Sequence, residues 1–240
     1  MNGPEKFLWL YMLLVPGELL AQDSFGVFGG LGTYQMDNLK EVNKMKARSL
    51  PFKTVGVDNF NPGFYFGTSA SFELSENFVL GLNYQYTSTG SRIGQKDYSG
   101  YYRYDQIVNG HLVGIEPERI IEENNFITIS FSFLTGVIFT GLKMKEKLTV
   151  YGENQESSES FAAISIPFYP AVKLSIPVTT FISGTISLGY LYDSGGKVHL
   201  KGNKDAVIGI NNSPLKTGWN GFRITAGVKF KFNNSKTDSS

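Results

Sequence analysis

From residue 162 to residue 178 every even position is apolar: Ala162, Ile164, Ile166, Phe168, Pro170, Val172, Leu174, Ile176 and Val178, with Ser165, Lys173 and Ser175 among the odd positions. A period of two sends alternate side chains to opposite faces of an extended strand, a segregation that a helical period of 3.6 cannot produce. The pattern recurs. Phe64, Phe66, Ala70, Phe72 and Leu74 oppose Tyr65, Gly67, Ser69, Ser71 and Glu73; after the tight Ser-Glu-Asn at 75–77, Phe78, Leu80, Leu82, Tyr84 and Tyr86 oppose Val79, Gly81, Asn83, Gln85 and Thr87. It returns in 126–140, in 182–192 and in 223–232, where Arg223, Thr225, Gly227, Lys229 and Lys231 alternate with Ile224, Ala226, Val228, Phe230 and Phe232. The less regular 24–36 and 101–114 complete a count of about eight antiparallel strands.

Two surfaces fit such strands: a soluble sandwich with the greasy face inside, or a membrane barrel with it outside. Three features select the barrel. The polar faces carry mainly Ser, Thr, Gly and Asn, where a solvated sheet would carry more Lys and Glu. The apolar faces begin and end in aromatics, with Phe72, Phe78, Phe126, Phe230 and Phe232 near one rim and Tyr84, Tyr86, Phe139, Tyr190, Tyr192 and Phe222 near the other, as two interfacial girdles require. Connections alternate between short turns at 75–77 and 179–181, with a somewhat longer one near 116–125, and long polar stretches at about 36–62, 92–100, 150–160 and 193–218, as when turns and loops lie on opposite sides of a membrane. The expected fold is therefore all-β: an antiparallel up-and-down transmembrane β-barrel of about eight strands, with long extracellular loops, short periplasmic turns and both termini on the periplasmic side.

Composition agrees. The chain has 240 residues with 27 Gly, 13 Tyr and 19 Phe, and its mean hydropathy of -0.12 is too low for a helical membrane protein. A net charge of +1 argues against nucleic acid as a partner, and the lack of cysteine removes disulfides, a thiol nucleophile and an acyl-anchored cysteine. Lys6, the apolar run Phe7 to Val15, Pro16-Gly17 and Ala21 read as an export signal over 1–21. The barrel then occupies 22–232, and 233–240 forms a polar periplasmic tail.

As a pattern over nearly the whole mature chain, the sequence resembles the small outer-membrane β-barrel domain family of Gram-negative envelopes, in the size class of OmpX-type barrels and with loops like those of PorT-like members. "TAGVKFKF" (225–232) is similar to the assembly signal of that family, which makes Gly227, Phe230 and Phe232 candidate signal residues and implies the barrel-assembly machinery as a partner. "YDSGGKVHLKG" and "SPLKTGWNGFRI" resemble its last extracellular loop and the entry to its closing strand. On that reading Trp219 marks the outer interface, while Gly195, Gly196 and Gly221 serve hairpin turns.

Chemistry is sparse. No HExxH or GxSxG occurs, and the two histidines, His111 and His199, have no fitting carboxylate and nucleophile; His111 is expected toward the inner end of its strand. The expectation is no enzyme, no cofactor and no metal. The inner face should carry Glu73, Lys173 and Arg223 as lumen residues, together with Lys229, Lys231 and either Arg103 or Asp105, held in paired contacts because single buried charges are costly. Loop 36–62 has five Lys or Arg and a helical spacing of Met36, Leu39, Val42 and Met45; it either caps the lumen or faces a partner, and its cations suit anionic headgroups. A structural or partner-binding component of the cell outer membrane, working through its loops among lipopolysaccharide and possible envelope protein partners, heads the functional readings. A narrow channel for small or apolar solutes and a lipid-modifying enzyme follow.

Overall fold

The computed structural model describes residues 24–98, 100–210 and 213–232. The export-signal and tail assignments, 1–21 and 233–240, lie outside them. Strands β1 (Ser24–Gly32), β2 (Val55–Asn59), β3 (Gly63–Ser75), β4 (Phe78–Lys96), β5 (Gly100–Glu123), β6 (Thr128–Val150), β7 (Glu153–Ser165), β8 (Pro167–Pro177) and β9 (Ile182–Asp193) follow in chain order, with helix α1 (Asp37–Ser49) between β1 and β2. Six short strands lie in the last loop: β10 (Gly196–Lys197), β11 (His199–Leu200), β12 (Asn203–Val207), β13 (Gly209–Ile210), β14 (Ser213–Pro214) and β15 (Lys216–Thr217). The chain closes with β16 (Gly221–Lys231).

Pairing is antiparallel throughout and closes on itself. β1 pairs with β3 on one side and β16 on the other; β3 to β6 pair in succession; and β8, β9 and β16 complete the ring. β6 holds β7 along its far half and β8 along its near half in one unbroken register line. The two are a single wall interrupted at Ile166, because Pro167 has no N–H to give the ladder. Ser194 covers the break: its N–H donates to the Ile166 carbonyl at 3.1 Å and its Oγ accepts from the Ile166 N–H at 3.0 Å. Counting β7 and β8 as one wall gives a ring of eight strands.

Alternation sorts the faces as the sequence implies. Leu82, Phe131, Val172, Ile186 and Ile224 point out, opposite Asn83, Ser132, Lys173, Ser187 and Arg223. Phe64 is 77% exposed and Leu188 60% exposed, a surface that water would not tolerate and a hydrocarbon layer requires. Outward aromatics cluster about nine residues from the turn end, with Phe66 on Tyr86 at 5.3 Å, Tyr86 on His111 at 5.1 Å and Tyr190 on Phe222 at 4.8 Å. Ser24 and Lys231 lie at the turn end, where the turns after β3, β5 and β8 also lie.

The strand ends differ from expectation in three places, two of them at the loop end. Residues 92–96 and 153–160 are strand rather than loop: β4 has 19 residues, β5 24 and β6 23, against the roughly 9–11 that cross a bilayer. The excess forms hairpins standing beyond the belt, with β2 and β11–β12 added at the sides. Beyond the membrane both faces need polar residues, so the alternation that marks a strand fades there. One tip is Tyr151-Gly152, both left-handed at φ 48° and 88°, the geometry that matches hairpin twist. At the other end β5 runs on through 116–123 before turning at 124–127, so the turn placed at 116–125 is mostly strand.

Candidate functional site

The lumen has two tiers. At the loop end, α1 and the last loop enter the barrel and fill it. Asp37 in the first turn of α1 and Lys46 and Arg48 in its last suit the helix dipole, and the face bearing Met36, Leu39 and Val42 turns inward. Met36 and Leu39 are fully buried with Val108, Leu112, Leu142 and the last-loop residues Val198, Leu215 and Trp219. Of the two roles left open for the first loop, capping is the one observed.

Polar groups anchor this plug. Asn43 donates to Ser91 Oγ at 2.8 Å and accepts from Gln106 Nε2 at 2.7 Å, and Gln106 also donates to the Leu39 carbonyl. Lys46 pairs with Glu146 at 2.8 Å and lies over the Tyr104 ring; burial, with the Glu146 charge adding, pushes the Tyr104 hydroxyl up to about 12. Lys46 is thus spent inside the fold rather than on headgroups.

Trp219 is likewise corrected: instead of marking the outer interface it is fully buried in the plug. Its indole N–H donates to Thr140 Oγ1 at 2.9 Å, its backbone N–H donates to Asp193 at 3.0 Å, and Tyr34 meets it edge-on at 5.3 Å. Gly110 makes room for it, since a Cβ there would stand 2.8 Å from the indole.

Below the plug the lumen is polar. Arg223, 2% exposed, lies over Tyr65 at 4.8 Å and Tyr169 at 5.9 Å and donates to Gln85 Oε1 at 2.6 Å. Gln85 donates to Asn83, and Asn83 donates to Glu116 Oε2 at 2.9 Å. Lys173 then bridges Glu116 at 2.8 Å and Glu118 at 3.1 Å, and Ser130 donates to Glu118 at 2.6 Å. A cavity of about 80 Å³ lies beside this chain, bordered by Ser69, Thr185 and Lys229 as well. The lumen candidates therefore part company: Arg223 and Lys173 face inward on separate partners, while Glu73 is exposed at the turn-end mouth. Glu116 and Glu118, which complete the set, fell inside the expected turn. Continuing the inward parity of Leu112 along β5 finds both.

Gly227 faces the lumen where a Cβ would meet Phe28 Cβ and the Val27 carbonyl at 2.8 Å, so β1 packs closely on β16 there. Phe230 and Phe232 point outward at the turn end. Asp105, not Arg103, is the buried member of its pair, but it lies on the outer face. Its parity matches that of His111, and two arginines cover it. His111 is also outward, with Nδ1 3.0 Å from the Tyr84 hydroxyl, inside the aromatic cluster at the loop-side rim and not toward the inner end of its strand. Of the three glycines read as turn residues, Gly195 has φ 74°, whereas Gly221 is a contact site whose Cβ would fall on the Thr33 carbonyl. Among the described residues no group of three His, Asp or Glu has metal-binding geometry.

No family model matches the chain, and no curated protein matches it. Solved structures similar to it include Ail, the attachment invasion locus protein of Yersinia pestis, at 13% identity over 88% of this chain and 99% of that one, with a TM-score of 0.38. Neisserial surface protein A matches at 12% identity over 87% and 97%, TM-score 0.36, and the outer membrane protein OprG from Pseudomonas aeruginosa at 10% over 88% and 97%, TM-score 0.44. The closed ring with an apolar exterior and a polar interior is the architecture of an integral outer-membrane β-barrel.

Proposed function

We propose that this integral outer-membrane β-barrel is a non-conducting envelope component that works through the structure it carries beyond the membrane. The observation that carries this reading is the plug: Leu39, Val198 and Trp219 are each 0% exposed across the loop-end half of the lumen. An apolar packed core leaves no line of water for ions, and eight strands enclose little more than their own side chains. Construction has gone instead into the β4–β5 and β6–β7 hairpins and the last loop, a platform on rigid strands suited to recognition.

The test is site-specific photocrosslinking in intact envelopes. A crosslinker at Tyr151 on the β6–β7 tip or at Glu156 on β7 is expected to give a discrete protein adduct, and one at lipid-facing Leu188 none. Absence of any discrete adduct from the platform positions, with the barrel folded, would contradict the partner-binding role.

A further inference from the structure

Beyond the loop-side aromatic cluster, the outward face of β4, β5 and β6 changes character. Register stacks Tyr86, His111 and Phe139 in one cross-strand row; six residues farther from the turn end the row reads Arg92, Asp105 and Lys145. The rows on either side pair Ile107 with Lys143 and Arg103 with Lys147. All share the parity of His111 or Phe139, so all lie on the outer face. Five cations thus stand around Asp105, and the second carboxylate that the register brings to this face, Glu156 on β7, lies opposite Lys147 at its edge and leaves an excess of positive charge.

Asp105 organises this patch more than it neutralises it. Its Oδ1 accepts from Arg92 Nε and its Oδ2 from Arg103 Nε, both at 2.6 Å. The carboxylate is 8% exposed and the two arginines 44% and 47%, so both guanidiniums are held in place with donors left for another anion. Lys143, Lys145 and Lys147 follow at alternate positions of β6, about 6.6 Å apart, close enough for several to engage one polyanion.

Height identifies the anion. The rows lie four to eight residues beyond the aromatic row, about 10–20 Å along the barrel axis after strand tilt. Phospholipid headgroups extend only about 5–7 Å past the hydrocarbon. The phosphorylated sugars of a lipopolysaccharide reach farther, and they are polyanionic. We propose that this face of β4–β6 binds the headgroup phosphates of lipopolysaccharide in the leaflet around the loop end, through Arg92, Arg103, Lys143, Lys145 and Lys147 with Asp105 as the positioning residue. The proposal rests on the outer-membrane reading and adds to it a lipid-recognition surface on the wall of the platform, leaving the tips for a protein partner.

The test titrates the full folded chain with four probes: rough lipopolysaccharide, the same lipopolysaccharide after dephosphorylation, phosphatidylglycerol and inorganic phosphate. The wild type is expected to bind phosphorylated lipopolysaccharide at least tenfold more tightly than the dephosphorylated form or phosphatidylglycerol. The K143Q/K145Q/K147Q variant should lose that preference and the triple Lys→Arg variant should keep it, with heat-modifiable mobility reporting folding. Arg103→Gln, a single change at a half-exposed site, should weaken binding severalfold and provides the same comparison if the triple variant does not fold. Equal binding of the dephosphorylated lipid, or unchanged preference in the glutamine variants, would overturn the proposal. Full competition by inorganic phosphate would overturn its lipid assignment in favour of a general anion site. A chain that does not enter bilayers defeats the membrane reading itself, whereas one that inserts without this preference defeats only the patch.

Discussion

Lys173 sits among Glu116, Glu118 and Ser130 inside the barrel, and its side chain is the only cation within ion-pair reach of the two glutamates among the described residues. Truncating that side chain at Cβ would leave two neighbouring carboxylates in a confined space, so Lys173→Ala should lower folding stability by about 3–5 kcal/mol. Replacing all three charges together (E116Q/E118Q/K173M) should recover part of that loss, because no carboxylate then lacks its cation, while Lys229 across the same cavity loses the Glu118 charge that offsets it. Urea titration of the folded, heat-modifiable species measures both, and a tolerated K173A would show that the pairing contributes little. Lys173 was legible because it breaks an otherwise uncharged inward face, and Arg223 because it heads the polar parity of the closing strand that Lys229 and Lys231 continue. The partners of Lys173 were not, since Glu-Pro-Glu-Arg has the composition of a solvated turn and only the parity carried down from Leu112 places Glu116 inside. Trp219 misled for a related reason: an aromatic before a membrane strand suits an interface and a plug equally, and the Thr140 partner that decides between them lies 79 residues away in the chain.

At the scale of elements, the strands within the belt could be read because hydrocarbon outside and a narrow lumen inside enforce alternation at every step. Where β4–β7 leave the belt that pressure ends, and the sequence there resembles loop although backbone pairing continues. The helical spacing of Met36, Leu39 and Val42 was visible, but its destination depended on contacts with β4, β5 and the last loop that no local pattern encodes. The junction of α1 with the wall turns on Asn43. Asn43→Ala removes the shorter of the two bonds that the Gln106 amide donates and the bond to Ser91, and should cost about 1–3 kcal/mol in local stability. Hydrogen exchange should register this as faster exchange over residues 37–49 with protection of β8, β9 and β16 unchanged. Uniform loss of protection across the ring would mean that the helix is integral to barrel folding instead of docked within it.

For the whole molecule, two opposed surfaces define the account: an exterior that demands lipid and a lumen closed at its loop end. The first predicts that Leu188→Arg, near the middle of the belt, destabilises the inserted protein by about 2–4 kcal/mol, read as a lower unfolding midpoint in lipid vesicles. Unchanged stability would indicate that Leu188 does not face hydrocarbon. The second is tested most directly by electrical recording of the purified protein in planar bilayers. The wild type should insert without steady conductance, and a variant in which residues 36–50 and 196–218 are replaced by short flexible linkers should fold and conduct, because the polar tier around Arg223 and Lys173 then meets water from both ends. A steady open-channel current from the wild type would contradict the plugged barrel.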